Sequence, residues 1–337
     1  MERQLTRAWY DERARRSLLQ PLSWVYGALI AVRRRAYEAG WLASARAGRP
    51  VVVVGNLTVG GTGKTPLTVW LARELTAAGL RVGIVSRGYR SRDSGVPRAV
   101  AAGSSWREVG DEPLILARRS ACPTVVARDR VAAARTLAAR VDVILADDGL
   151  QHLHLARDCE IVVIDGARGF GNGRLLPAGP LREPLERLGR ADAIVVNGAP
   201  EHASLRGLPA GALTMRLEGA QALSLDGLRP ARSLGAFGGQ RVHAVAGIGN
   251  PARFFAALRA YGIELQEHAF ADHHPLSVAE LSFGDELPVL MTEKDAVKCA
   301  PLSDPRLWYV PVSAQFSAPQ ARELLARVLA KVRGAAP

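Results

Sequence analysis

The chain has 337 residues, 48% apolar and 23% charged, a globular balance that excludes intrinsic disorder and is long enough for two domains. Its three cysteines, Cys122, Cys159 and Cys299, lie far apart, which excludes a disulfide framework or a paired zinc site and fits a reducing compartment. A net charge of +12 calls for an acidic partner, whether nucleic acid, anionic lipid or phosphorylated substrate, and does not choose among them.

Residues 1–48 read as a basic helical segment ending at the Gly48-Arg49-Pro50 break. Its apolar run, Trp24–Val32, is too short to span a bilayer and lacks the cleavage site of a secretory signal. Flanked by Arg15-Arg16 and Arg33-Arg34-Arg35, it suits either the headgroup layer of a membrane or a helix packed on the protein's own core.

The pattern changes at Val51. Val51–Val54 predicts a buried strand, followed by Gly55-Asn56-Leu57-Thr58-Val59-Gly60-Gly61-Thr62-Gly63-Lys64-Thr65 and a helix from about Thr65 to Ala78. Strand, glycine-rich loop and helix in that order predict a phosphate-binding loop. Its glycines let consecutive N–H groups turn onto phosphate oxygens, Lys64 supplies a point charge, and the Thr65 hydroxyl suits Mg²⁺. Thr58 stands where the usual pattern has its first glycine. The candidate nucleotide ligands are Thr58, Val59, Gly60, Gly61, Thr62, Gly63, Lys64 and Thr65. Lysine otherwise occurs only at 294, 298 and 331, so a lysine in this loop fits a need for a compact ammonium.

A strand at Arg81–Ser86 leads into a loop rich in glycine and arginine. Asp111-Glu112-Pro113 opens a helical run at Leu114–Arg119; the pair either caps that helix or offers a carboxylate that orients an alcohol and accepts its proton. Strands at Thr124–Ala127 and Val141–Ala146 flank an alanine-rich helix. The second ends in Asp147-Asp148-Gly149, a Walker B-like strand end that can hold Mg²⁺ beside the phosphate loop, with either aspartate as ligand. Strands are also predicted at Ile161–Asp165 and Ala193–Asn197. Between them Gly169–Pro184 is too rich in Gly and Pro for a regular element and offers Arg174 and Arg182 to a phosphate or to water.

This alternation predicts an α/β fold: a P-loop NTPase-like, mostly parallel sheet with helices on both faces, plus a smaller α/β second domain. The predicted divisions are a membrane-associating N-terminal segment at 1–48, a P-loop kinase core at 49–212, a linker at 213–240 and the smaller domain at 241–333. That domain is read as strand Val242–Ala246, helix Pro251–Tyr261, strand Ile263–Phe270, helix Ser277–Leu281, strands Val289–Thr292 and Leu307–Val312, and a helix near Pro319–Val332. Asp272-His273-His274 lies within it. Adjacent side chains on a strand point apart, which favours one histidine reaching a carboxylate over a metal held by both. Thr292-Glu293-Lys294-Asp295 is a charged helix cap or part of the same cleft.

The loop Gly55–Thr65, then Ser86-Arg87-Gly88-Tyr89, Gly110-Asp111-Glu112-Pro113, Asp147-Asp148-Gly149-Leu150-Gln151-His152, the Gly169–Pro184 loop, Asp272-His273-His274 and Thr292-Glu293-Lys294-Asp295 occur in register. Together they make the chain similar to the tetraacyldisaccharide 4'-kinase family, the lipid A 4'-kinases of Gram-negative bacteria, over roughly residues 15–330. The resemblance implies a second domain on a two-stranded linker. It also implies transfer of the ATP γ-phosphate to the 4'-hydroxyl of a lipid A disaccharide 1-phosphate, giving lipid IVA, at the cytoplasmic face of the inner membrane. By the same resemblance Asp111 is the base, paired with His273, while Lys64 and Thr65 serve the phosphates. Thr65, Glu112, Asp147 and Asp148 surround Mg²⁺, and Arg87, Tyr89, Gln151, His152, Asn172, Arg174 and Arg182 face the substrate. ATP and Mg²⁺ are the implied cofactors and an anionic membrane surface the implied partner, with no nucleic acid and no obligate protein partner. Two rival readings are a soluble P-loop kinase acting on a small metabolite and a non-catalytic nucleotide switch.

Overall fold

The computed structural model describes residues 9–10, 18–88, 95–299, 302 and 304–335, and among these the chain forms two sheets. Eight strands come first: β1 (Val51–Gly55), β2 (Val82–Ser86), β3 (Arg98–Val100), β4 (Thr124–Val126), β5 (Val143–Asp147), β6 (Cys159–Asp165), β7 (Ala193–Asn197) and β8 (Leu213–Glu218). Six more follow: β9 (Gln221–Ser224), β10 (Arg232–Ser233), β11 (Arg241–Ala246), β12 (Glu264–Ala269), β13 (Val289–Thr292) and β14 (Leu307–Val310). The last, β15 (Ser313–Gln315), returns to the first sheet, whose order is β15-β8-β7-β6-β1-β5-β2-β4-β3; the second runs β10-β9-β14-β13-β11-β12. The central strands of both sheets are parallel and the antiparallel pairings lie toward the edges.

The helices are α1 (Gln20–Glu38), α2 (Lys64–Ala77), α3 (Trp106–Val109), α4 (Asp111–Ser120), α5 (Arg130–Leu137), α6 (Pro251–Arg259), α7 (Glu293–Cys299) and α8 (Ala318–Gly334). They explain why β1 is apolar at every position. Val51 and Val53 face one core, shared with Val131 and Leu137 of α5, while Val52 and Val54 face another, shared with Leu67, Leu71 and Leu75 of α2. A strand buried on both faces has no solvent side on which to place polar residues.

The segment predicted as a linker is built into both sheets. β8 completes the first, passes through Gly219-Ala220 and becomes β9 of the second; β14 passes back through Pro311-Val312 into β15. Glu218 pairs with Ser313 and Ser224 with Trp308, both antiparallel, so one two-stranded ribbon joins the sheets. Within the same segment Gly235 lies in a 3₁₀ turn, Leu234–Phe237, whose Leu234 and Phe237 are buried. The predicted 241–333 unit is likewise divided in space. Leu324, Val328 and Val332 of α8 share the core of α2 in the first sheet. Their helical spacing was legible, but a helical period does not say which sheet it covers.

Helix α1 starts with Pro21 in its first turn, where a missing N–H costs nothing. Only Ser23 is buried along it; Leu22, Trp24, Val25, Leu29 and Val32 are exposed, Trp24 at 68%. These five side chains are therefore not packed on the core formed by the described residues. Among the described residues no helix is long and apolar enough to cross a membrane.

Candidate active site

The loop after β1 is held from several sides. Gly63 sits at φ 97°, and a Cβ there would come within 2.6 Å of Asn197 Nδ2. This left-handed residue opens α2 without any side-chain cap, which leaves the first N–H groups of the helix without a side-chain acceptor. Lys64 Nζ lies 3.2 Å from Asn56 Oδ1 and 3.5 Å from Asp148 Oδ1. Gly61, Thr62, Gly63, Lys64 and Thr65 line a cavity of about 470 Å³. Thr58, Val59 and Gly60 do not: Thr58 forms a bridge with Leu181 and Val59 N–H donates to Pro180 O at 2.9 Å.

Two strand-end carboxylates meet this loop. Asp147 is wholly buried; its Oδ1 accepts from Thr68 Oγ1 at 2.9 Å, and its Oδ2 has no partner among the described residues. Burial, with the Glu112 charge in support, pushes its carboxyl up to about 7. Asp148, at φ 48°, is different. Burial alone would raise it, but Lys64 and Arg182 hold its carboxyl far below the usual range. Arg182 Nη2 lies 3.1 Å from Asp148 Oδ1 and also donates to the backbone and side-chain oxygens of Asn56.

Asp111 is the first residue of α4, inside the N-cap position held by Gly110. Its Oδ1 accepts from Glu112 N–H at 2.8 Å and its Oδ2 lies 2.8 Å from His273 Nδ1. His273 arrives from the second sheet at φ 60°, with its N–H donating to Gly247 O at 3.2 Å. Lys294 Nζ donates to His273 Nε2 at 3.1 Å, to Asp272 Oδ1 at 3.2 Å and to Glu112 Oε1 at 3.0 Å. An ammonium offers only donors, so Nε2 is the acceptor and the imidazole proton is on Nδ1, donating to Asp111. Behind this pair Lys298 Nζ lies 3.0 Å from Asp295 Oδ1 and 4.0 Å from Asp111 Oδ2. Burial opposes the Asp111 charge, yet the His273 hydrogen bond and Lys294 bring the carboxyl down to about 2. His274 points elsewhere: its Nε2 meets Glu280 Oε1 at 2.7 Å and its ring stacks on Phe270. The two adjacent histidines thus serve different neighbourhoods.

The residues expected to face a substrate divide. Gln151 donates to Asn56 O and Glu183 Oε1, and Asn172 bridges Ala178 O and Arg174 N–H inside its own loop, so both amides brace the scaffold. His152 is half-buried, and burial beside Arg130 and Arg157 pushes it down to about 4. Arg87 is exposed just past β2, and Arg174 is partly exposed on the glycine–proline loop; Tyr89 lies outside the described residues. Helix α1 grips the same loop, with Ser23 Oγ donating to Leu175 O at 2.7 Å and Tyr26 OH to Arg182 O at 2.9 Å. No sequence expectation included Asn56, Asn197 or Lys298 as a site residue; they lie against Lys64, the Thr62 carbonyl and Asp111 respectively. Only Lys298 carried a signal, as one of four lysines in an arginine-rich chain.

The cavity extends from the loop to Glu112 and Lys294 on one side and to Trp70, Leu217, Ile248 and Phe254 on the other. It therefore joins the glycine-rich loop, the Glu112 carboxylate with the Lys294 ammonium and an apolar wall, a set suited to moving a phosphoryl group from a nucleotide to an alcohol. Residues 15–330 match the family model described as Tetraacyldisaccharide-1-P 4'-kinase. A tetraacyldisaccharide 4'-kinase of Alkalilimnicola ehrlichii is 51% identical over 315 residues, covering 93% of this chain and 92% of the relative. One of Pseudomonas paraeruginosa is 48% identical over 314 residues, covering 92% of each. Among solved structures, the "apo" form LpxK from Aquifex aeolicus in complex with ATP is similar at a TM-score of 0.76 and 29% identity, over 93% of this chain and 98% of that one.

Proposed function

The chain belongs to the tetraacyldisaccharide-1-P 4'-kinase family, and we propose that Asp111, His273 and the loop ending at Lys64-Thr65 carry out its reaction. That reaction is ATP-dependent phosphorylation of the 4'-hydroxyl of a tetraacyldisaccharide 1-phosphate in lipid A biosynthesis. The observation that supports this assignment of roles is the 2.8 Å hydrogen bond from His273 to Asp111, made across the two sheets next to Glu112 and Lys294, which line the cavity.

In this reading the N–H groups of Gly61–Thr65 and the Lys64 ammonium hold the β- and γ-phosphates of ATP. The 4'-hydroxyl approaches Asp111, whose carboxylate orients it and takes its proton. His273 Nδ1–H holds that carboxylate in place, and Lys294 fixes the imidazole tautomer. A carboxyl near 2 is a weak base, which suits a loose phosphoryl transition state in which the hydroxyl proton leaves late. Closure of the two halves over the cavity would exclude the water that otherwise takes the phosphoryl group.

The donor set fits Mg²⁺. Asp147 Oδ2 is buried and unpaired among the described residues, whereas both oxygens of Asp148 face Arg182 and one also faces Lys64. We therefore assign Asp147 as the direct carboxylate ligand, with Thr65, Glu112 and Asp148 around it; phosphate oxygens and water would complete the shell. When bound there, Mg²⁺ would neutralise charge on the transferring phosphoryl group.

The acceptor is a lipid, and the exposed face of α1 (Leu22, Trp24, Val25, Leu29, Val32), beside Arg33, Arg34 and Arg35, suits the headgroup layer of an anionic membrane at the cytoplasmic face of the inner membrane. The test is label transfer from γ-labelled ATP to a tetraacyldisaccharide 1-phosphate, with anionic vesicle sedimentation run in parallel. Wild type should label the lipid, Lys64→Ala should lose at least about 100-fold, and Trp24→Glu should sediment less. Labelling that persists at full rate in Lys64→Ala would remove the phosphate-loop assignment.

A further inference from the structure

Away from the Asp111–His273 contact, the two halves meet again around one carboxylate and two arginines. Asp165, at the end of β6, is 1% exposed. Its Oδ1 accepts the N–H groups of Ala167 and Arg168, each at 3.1 Å, and lies 2.8 Å from Arg253 Nη2; its Oδ2 lies 3.2 Å from Arg168 Nε. Arg253 belongs to α6 and hence to the second sheet. Arg168 donates its remaining nitrogens to two backbone carbonyls: Gly61 O of the phosphate loop, and Gly249 O of the turn before α6 at 3.2 Å. The two backbones touch there, since a Cβ added to Gly249 would stand 2.7 Å from Gly61 N.

A trans peptide points its C=O and the following N–H in opposite directions. Arg168 holds the Gly61 carbonyl and Asn197 Nδ2 holds the Thr62 carbonyl at 3.0 Å. The N–H groups of Thr62 and Gly63 are thereby turned away from these side chains, toward the cavity that both residues line. One guanidinium thus sets the inward tilt of the loop and the seat of Gly249.

We propose that Arg168 is a positioning residue that couples the shape of the phosphate loop to the seating of the second sheet, with Arg253 as a second strap through the shared Asp165. The proposal rests on the nucleotide reading above and is independent of the acceptor. A triphosphate that draws the loop N–H groups inward keeps Gly61 O on Arg168 and Gly249 against the loop. Lifting the second sheet breaks the Gly249 and Arg253 contacts and leaves the Gly61 carbonyl less constrained. Three separate acceptors call for the planar fork of arginine, which a lysine ammonium does not reproduce.

The test measures ATP binding by calorimetry and the distance between probes at exposed Ala78 and Leu228, with no acceptor present. In wild type, ATP should narrow the distance distribution. Arg168→Ala should weaken ATP binding about tenfold and abolish the narrowing, and Arg168→Lys should restore neither. Arg253→Ala should abolish the narrowing with a smaller loss of affinity, and it decides the question if the Arg168 variants do not fold. ATP binding within about twofold of wild type in folded Arg168→Ala, narrowing that survives in Arg253→Ala, or a wild-type distance indifferent to ATP would each overturn the coupling. Since no lipid is used, failure of lipid phosphorylation would not mimic any of these results.

Discussion

Asp111 at the start of α4 and Asp147 at the end of β5 are the same residue in nearly the same depth of burial, 4% and 0% exposed, yet their carboxyls move in opposite directions. Burial acts against the charge on both. At Asp111 it is overcome by His273, Lys294 and Lys298, all delivered by the second sheet. At Asp147 it is reinforced by Glu112 and only partly offset by Lys64, and the single hydrogen-bond donor among the described residues is a threonine hydroxyl. Depth alone therefore does not decide the charge state; the partners do. At Asp111 the protein's own cations outweigh the cost of burial; at Asp147 they do not.

The comparison can be broken most severely at Asp111. Asp111→Ala should lower lipid labelling by about 10³-fold, and Asp111→Asn, which keeps the shape but cannot accept the proton, by a similar factor. A near-wild-type rate in Asp111→Asn would show that the carboxylate is not the base. Next is His273→Ala, expected to cost about 100-fold in kcat with little change in the KM for ATP, because it leaves the phosphate loop intact.

Asp147 yields a test of opposite sign. Its carboxyl is near 7 when folded and about 3.9 when unfolded. Between those values the unfolded chain has released its proton and the folded one has not, so the stability contributed falls as pH rises from about 4 to 7. Asp147→Asn should consequently raise the Tm of the nucleotide-free protein by about 2–4 °C at pH 8. It should have little effect at pH 4, while removing most Mg²⁺ response. Calorimetry with and without Mg²⁺ reads both, and a lower Tm at pH 8 would contradict the raised carboxyl. The smallest effect is expected from Thr68→Val, which removes the donor to Asp147 Oδ1 and should cost about 1 kcal/mol of stability by denaturant titration.

Much of this architecture is legible along the chain because its signals are local. The valine run of β1, the glycines before Lys64 and the acidic end of β5 each announce themselves within a few residues. The pairing of Asp111 with His273 came from resemblance, since no spacing rule joins residues 162 positions apart. Arg182 had a candidate phosphate role in the sequence; its contact with Asp148 and Asn56 depends on how the glycine–proline loop folds back against the loop after β1. Arg168 and Asp165 gave no signal, because a salt bridge three residues apart is ordinary until a second arginine arrives from another sheet. The two-stranded linker came from resemblance; that residues 213–224 form an ordered ribbon depends on their pairing with β14 and β15, far along the chain.

The return of β15 and α8 to the first sheet has a consequence for synthesis. The core beneath α2 is closed by Leu324, Val328 and Val332, more than two hundred residues after Leu67. A nascent chain therefore makes its phosphate loop early but leaves that loop's supporting helix without a cover until residues 313–332 have emerged. The second sheet, contiguous from β9 to β14, can mature before the first one does. A partly made chain on the ribosome would expose the greasy underside of its nucleotide fold and be a natural client for chaperones.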